Sequence, residues 1–113
     1  MRDDDAYLLD MLLAARDAEE FASDLTFEKF EHDKLHQHAI IKAIEIIGEA
    51  ANRVSAETRD LHSEIPWLEI VGMRNRLVHA YFEVDVELLW ETVQRDIPDL
   101  ISLIEPLVPP EEA

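Results

Sequence analysis

Apolar residues recur along this chain at helical rather than strand spacing. Leu8, Met11, Leu12, Ala15 and Ala22 form one stripe at steps of three, four and seven, which predicts a first helix over residues 4–23. Asp3, Asp4 and Asp5 stand at its start, where the helix dipole favours anions. A second stripe, through Ile40, Ala43, Ile44, Ile47, Ala51 and Val54, predicts a helix over residues 26–54, with Thr26 as its N-cap and a bend around residues 36–39. A short helical turn is expected after Ser55. The third helix begins at Pro66, whose missing N–H costs nothing at a first helical position. It carries Trp67, Ile70, Val71, Leu77 and Val78 and is expected to end near Tyr81 and Phe82. The fourth follows Asp85, an N-cap candidate, and runs through Val86, Leu89, Trp90, Val93, Ile97, Leu100, Ile101, Ile104 and Val108. Pro98 lies inside this stripe, removes one backbone bond and predicts a kink there. The tail over residues 109–113 stops the helix and is expected to fray.

Short connections between long amphipathic helices predict an all-α fold, an antiparallel up-and-down four-helix bundle with one short extra helix. At 113 residues the whole chain, 1–113, is expected to form a single domain. No segment alternates at period two, so no sheet is expected. There is no internal repeat, and Gly48 and Gly72 are the only glycines.

Charge narrows the chemistry. Twenty-six acidic residues against ten basic ones give a formal charge of −16. Such a chain repels phosphate backbones as a whole, so any nucleic-acid contact must be local or assisted by a partner. The absence of cysteine excludes disulfides, thiolate metal sites and thiol nucleophiles. Met1-Arg2-Asp3-Asp4-Asp5 is unlike a secretory leader, and no run approaches the roughly 20 apolar residues of a membrane helix. A soluble, cytoplasmic protein is therefore expected. No glycine-rich loop cradles phosphate, and the carboxylates are too scattered for a two-metal nuclease. Glu28, His32 and His36 have a spacing that can hold zinc, but no fourth ligand is evident and the group reads as a solvated helix face. His38 and His62 belong to no recognisable constellation. Neither metal nor cofactor is expected.

The segment Met73-Arg74-Asn75-Arg76-Leu77-Val78-His79-Ala80-Tyr81 carries the candidate chemistry. Arg74 lies seven residues after Trp67 and seven before Tyr81, which at about 100° per residue puts all three on one apolar helix face. Asn75 and His79, four apart, fall on an adjoining face within mutual reach. An arginine there needs an anion or an interface. One reading pairs it with a core carboxylate such as Glu49 and leaves His79 interacting with the last carbonyls of the helix. The other makes it a phosphate site.

The run R-N-x-x-x-H-x-Y, here Arg74-Asn75-Arg76-Leu77-Val78-His79-Ala80-Tyr81, resembles the signature of HEPN-domain proteins, specifically the HepT branch, the toxin half of a toxin–antitoxin pair. Ile46-Ile47-Gly48-Glu49-Ala50-Ala51, Ile65-Pro66-Trp67 and Tyr81-Phe82-Glu83-Val84-Asp85 extend the likeness over nearly the whole chain. The resemblance implies a homodimer with the two motifs facing each other across a cleft, and metal-independent endoribonuclease activity. It also implies a minimal nucleotidyltransferase antitoxin that transfers AMP to the tyrosine standing here as Tyr81. The residues suit that chemistry. His79 can exchange a proton near neutrality, Arg74 offers a planar fork to phosphate oxygens, and Asn75 can orient either one. Arg74, His79 and Asn75 are thus the catalytic candidates and Tyr81 the AMP acceptor, with RNA, tRNA or mRNA, as substrate. The alternative is a catalytically inactive HEPN-type module that binds a nucleotide or a protein, which the charge of −16 favours.

Overall fold

The computed structural model describes residues 3–110, apart from the Phe82 side chain. The expected fraying of the tail concerns, at 111–113, residues outside that range. The architecture is all-α, and among the described residues there is no strand, only an isolated antiparallel bridge between Val78 and Val84. Helix α1 spans Asp4–Ala22, capped by the Asp3 side chain, which accepts from the Ala6 amide. It packs on α3, Lys34–Arg53, and on α8, Ile97–Ile104. Asp4 at the start of α1 accepts from the Ser55 amide and hydroxyl and from the Thr58 hydroxyl, just beyond the end of α3, so α1 and α3 run antiparallel. Those three donors hold the Asp4 carboxyl below its ordinary range. Arg16 reaches Glu105 at 2.9 Å and ties α1 to the chain beyond α8.

The expected helix over 26–54 is two helices. α2, Phe27–Phe30, is capped by Thr26 as expected. The chain then turns through Glu31 and His32, and Asp33 caps α3 by accepting from the His36 amide. The break therefore precedes the expected bend at 36–39. Its cause is polar. The side-chain amide of Gln37, only 5% exposed, donates to the carbonyls of Phe30 and Glu31, which a continuous helix would have used. Phe30 is buried against Trp90, with ring centroids 5.1 Å apart. The short turn after Ser55 is α4, Ala56–Leu61, with Ser55 as its cap.

The fourth stripe is likewise segmented. α7, Val86–Glu91, starts from the Asp85 cap as expected. A π turn, Thr92–Asp96, leads into α8, and a 3₁₀ turn, Glu105–Leu107, ends it. Pro98 sits in the first turn of α8. The distortion expected at Pro98 is met upstream, where the Ile97 amide bonds the Thr92 carbonyl and widens the helix by one residue. The Thr92 hydroxyl takes the Leu88 carbonyl at 2.8 Å.

Gly48 positions the candidate site. A Cβ there would lie 3.2 Å from the Val71 carbonyl oxygen and 3.4 Å from that of Ile70. α3 therefore runs directly against the backbone of α5, Trp67–Val71, and fixes the helix that leads to Arg74. Backbone carbonyls cannot step aside as a flexible side chain can. Gly48→Ala should cost ~1–3 kcal/mol of stability, measured by urea unfolding. An unchanged midpoint would show that α5 slides freely on α3.

Candidate functional site

The expected third helix, Pro66 to Tyr81–Phe82, does not run through. Pro66 is the cap and α5 begins at Trp67. The helix restarts after Gly72 as α6, Met73–Leu77, and stops there. Val78 is extended and bridged to Val84, the His79 amide donates to the Glu83 carbonyl at 2.7 Å, and the Asp85 amide donates to the Leu77 carbonyl at 2.8 Å. These bonds satisfy backbone groups that further helix would have claimed, and β-branched Val78 fits the extended form. Ala80–Phe82 forms a 3₁₀ turn at the tip, with Tyr81 left-handed at φ 59°.

This geometry overturns the single-face reading. Trp67 is buried on α5, Arg74 is half-buried on α6, and Tyr81 is 100% exposed on the tip. Asn75 does not reach along a helix to His79, because the helix ends before His79. Its side-chain oxygen instead accepts from Arg74 Nη1 at 3.5 Å.

Arg74, with 31% of its side chain exposed, places Nε 3.9 Å from a Glu45 carboxylate oxygen on α3. The carboxylate beside it is therefore Glu45 and not Glu49, which is exposed one turn further on and lines a shallow cavity with Tyr7, Asp10 and Arg53. Glu45 also holds Lys42, at 3.2 Å. His79, with 57% of its side chain exposed, places Nε2 4.0 Å from Asp85 Oδ2. The other Asp85 oxygen caps α7 through the Leu88 amide, so the carboxylate is held in place beside the imidazole. Among the described residues, no hydrogen bond or ion pair joins Arg74 to His79 within one chain. Each faces solvent across a weak contact to a carboxylate.

Two features escaped the sequence reading. Asp85 was legible as a cap but not as the neighbour of His79, since that contact depends on the hairpin between them. An open groove of about 640 Å³ also runs beside Tyr81, lined by Glu31, His32, Lys34, His38, Glu83 and Val84 among others. Elsewhere, His36 pairs with Asp33 at 2.7 Å, and this contact holds the Asp33 carboxyl low together with the His36 amide, the larger cause. Among the described residues no group of three or more His, Cys, Asp or Glu is placed to hold a metal ion, and no helix is long and apolar enough to cross a membrane.

The frame around these residues matches a family model described as Ribonuclease HepT-like over residues 11–107, which takes in the whole candidate site. The chain belongs to the HepT-like family. The HepT-like chain is 48% identical over 89% of its length to a Thermococcus cleftensis protein named "Probable ribonuclease HepT", of which it covers 92%. It is 40% identical over 92% of its length to a Methanocaldococcus jannaschii protein provisionally named an RNase, of which it covers 95%. A Caldanaerobacter subterraneus protein, also provisionally named an RNase, is 39% identical over 78% of this chain and 79% of its own. No solved structure matches the HepT-like chain.

Proposed function

We propose that this HepT-like chain is a ribonuclease, and more specifically a metal-independent endoribonuclease acting as the toxin of a toxin–antitoxin pair. One observation carries the reading. A stretch of six residues, Arg74 to His79, delivers a guanidinium and an imidazole that both reach solvent, inside a frame that matches the ribonuclease family model.

The chemistry follows from the groups. A base takes the proton of a ribose 2′-hydroxyl, whose oxygen attacks the adjacent phosphorus. The bond from phosphorus to the 5′-oxygen breaks, and an acid protonates the leaving oxygen. The products are a 2′,3′-cyclic phosphate and a 5′-hydroxyl. His79 is the proton carrier. Arg74 leaves Glu45 to neutralise the crowded phosphorane. Asn75 positions the guanidinium through its side-chain oxygen. One imidazole cannot serve as base and acid in a single step, so a second copy of the chain supplies the second His79. The working form is a homodimer with the two motifs across a cleft.

Tyr81 is the control point. Its hydroxyl stands at the exposed tip of the hairpin that carries His79. A nucleotidyltransferase partner presents ATP. The phenolic oxygen attacks the α-phosphorus, pyrophosphate leaves, and the phenolic proton passes to the partner's base or to water. The attached AMP puts negative charge near Arg74 and His79 and repels RNA.

The deciding experiment is incubation of the purified chain with RNA in excess EDTA. Cleavage leaving cyclic-phosphate ends is expected. Intact RNA in the presence of a folded dimer would favour the inactive binding module, which the formal charge of −16 keeps in view.

A further inference from the structure

Apart from Tyr81 at its edge, the groove beside the hairpin has no part in the chemistry above. It lies between the start of α3 and the hairpin, with a volume of about 640 Å³, within the span of roughly 300–1,000 Å³ common for small-molecule sites. Lys34, His32 and His38 line it together with the carboxylates of Glu31 and Glu83. No ion pair holds Lys34 among the described residues, and His32 has only Glu31, at 3.5 Å. Val84 and Val86 supply apolar surface, and the Tyr81 ring stands fully exposed at the edge.

We infer that this groove binds one nucleoside monophosphate unit. The parts match what a single unpaired nucleotide needs. An aromatic face stacks on the base, apolar side chains cover its edge, and a lysine meets the phosphate. The carboxylates that line the groove, Glu31 and Glu83, accept from ribose hydroxyls or an exocyclic amino group. The unit has two sources. In the unmodified protein it is a nucleotide of the RNA strand close to the cleavage point. In the modified protein it is the AMP attached to Tyr81, which then fills the place the RNA would take. Both sources rest on the function proposed above; the binding itself does not.

The test is an AMP titration of the full chain followed by amide NMR, with Lys34→Glu and His38→Ala as variants. Lys34 opens α3, where a glutamate suits the helix dipole, so the variant keeps the fold. Free AMP should shift the amides of residues 31–38 and 83–86. Lys34→Glu should weaken that binding about ten-fold, as expected for losing one charge-assisted contact, with a smaller loss in His38→Ala. In cleavage assays Lys34→Glu should raise KM by a similar factor, with kcat falling less than KM rises. AMP carried on Tyr81 should abolish the shifts caused by free AMP. Shifts confined to the surroundings of Arg74, or none at all in the folded protein, would overturn the proposal even if RNA is cut. AMP binding in the groove of a protein that cuts no RNA would leave the site standing and remove the ribonuclease.

Discussion

His79→Ala should slow RNA cleavage by about 10²–10⁴-fold, the effect of removing a positioned proton carrier. Arg74→Ala should cost about 10²–10³-fold, through loss of the charge that meets the phosphorane. Neither change should unfold the chain. Both side chains reach solvent, and the burial in this stretch is supplied by Met73, Leu77 and Val78. Nor does either lose a strong native contact. The 3.9 Å approach of Arg74 to Glu45 joins side chains each about a third exposed, and such pairs contribute ~0–1 kcal/mol. In the proposed mechanism that weakness would be useful, because an incoming phosphate would displace Glu45 at little cost. Initial cleavage rates, measured beside thermal unfolding followed by circular dichroism, give both quantities at once. A folded His79→Ala protein that cuts at the wild-type rate would remove the imidazole from the mechanism.

The stripes of apolar residues read correctly as helices because each buries one face in a common core, and that face is visible at helical spacing. Thr26 and Asp85 read correctly as caps because a cap acts on an amide three residues away. The breaks were not legible. Residues 26–54 contain no proline or glycine that would stop a helix between Phe30 and Lys34. The break is made by Gln37 taking carbonyls from the chain behind it, a contact that exists only once the turn has formed. The end of α6 at Leu77 is similar. Nothing in Leu77-Val78-His79 forbids helix, but Glu83 and Asp85 compete for its backbone groups from across the hairpin. This difference matters for the site. A continuous helix would have tied Arg74, His79 and Tyr81 to one rigid face. The hairpin instead separates them, with Arg74 against α3, His79 against the cap of α7, and Tyr81 at the tip. The residue types stand in the motif, but their arrangement was not legible, because it depends on partners across the hairpin and on α3.

Co-expression with a nucleotidyltransferase partner should add AMP-sized mass to the wild-type chain, and Tyr81→Phe should remove that mass entirely. The variant isolates the hydroxyl. Phenylalanine keeps the ring and the β-carbon, so the left-handed turn at φ 59° bears the same strain, about 1 kcal/mol or more for a side chain with a β-carbon. The ring is fully exposed, so no packing changes either. Full exposure at the tip leaves the hydroxyl open to a second enzyme's active site. The other tyrosine, Tyr7, is partly buried against the core on α1 and offers no such approach. In the presence of the partner, wild-type cleavage should fall as the adduct accumulates, whereas Tyr81→Phe should stay unmodified and active. Intact-mass spectrometry of both chains reads the adduct, and a growth assay on induction reads the consequence. If AMP-sized additions persist in Tyr81→Phe, the acceptor is another hydroxyl, and the hairpin tip then serves RNA alone.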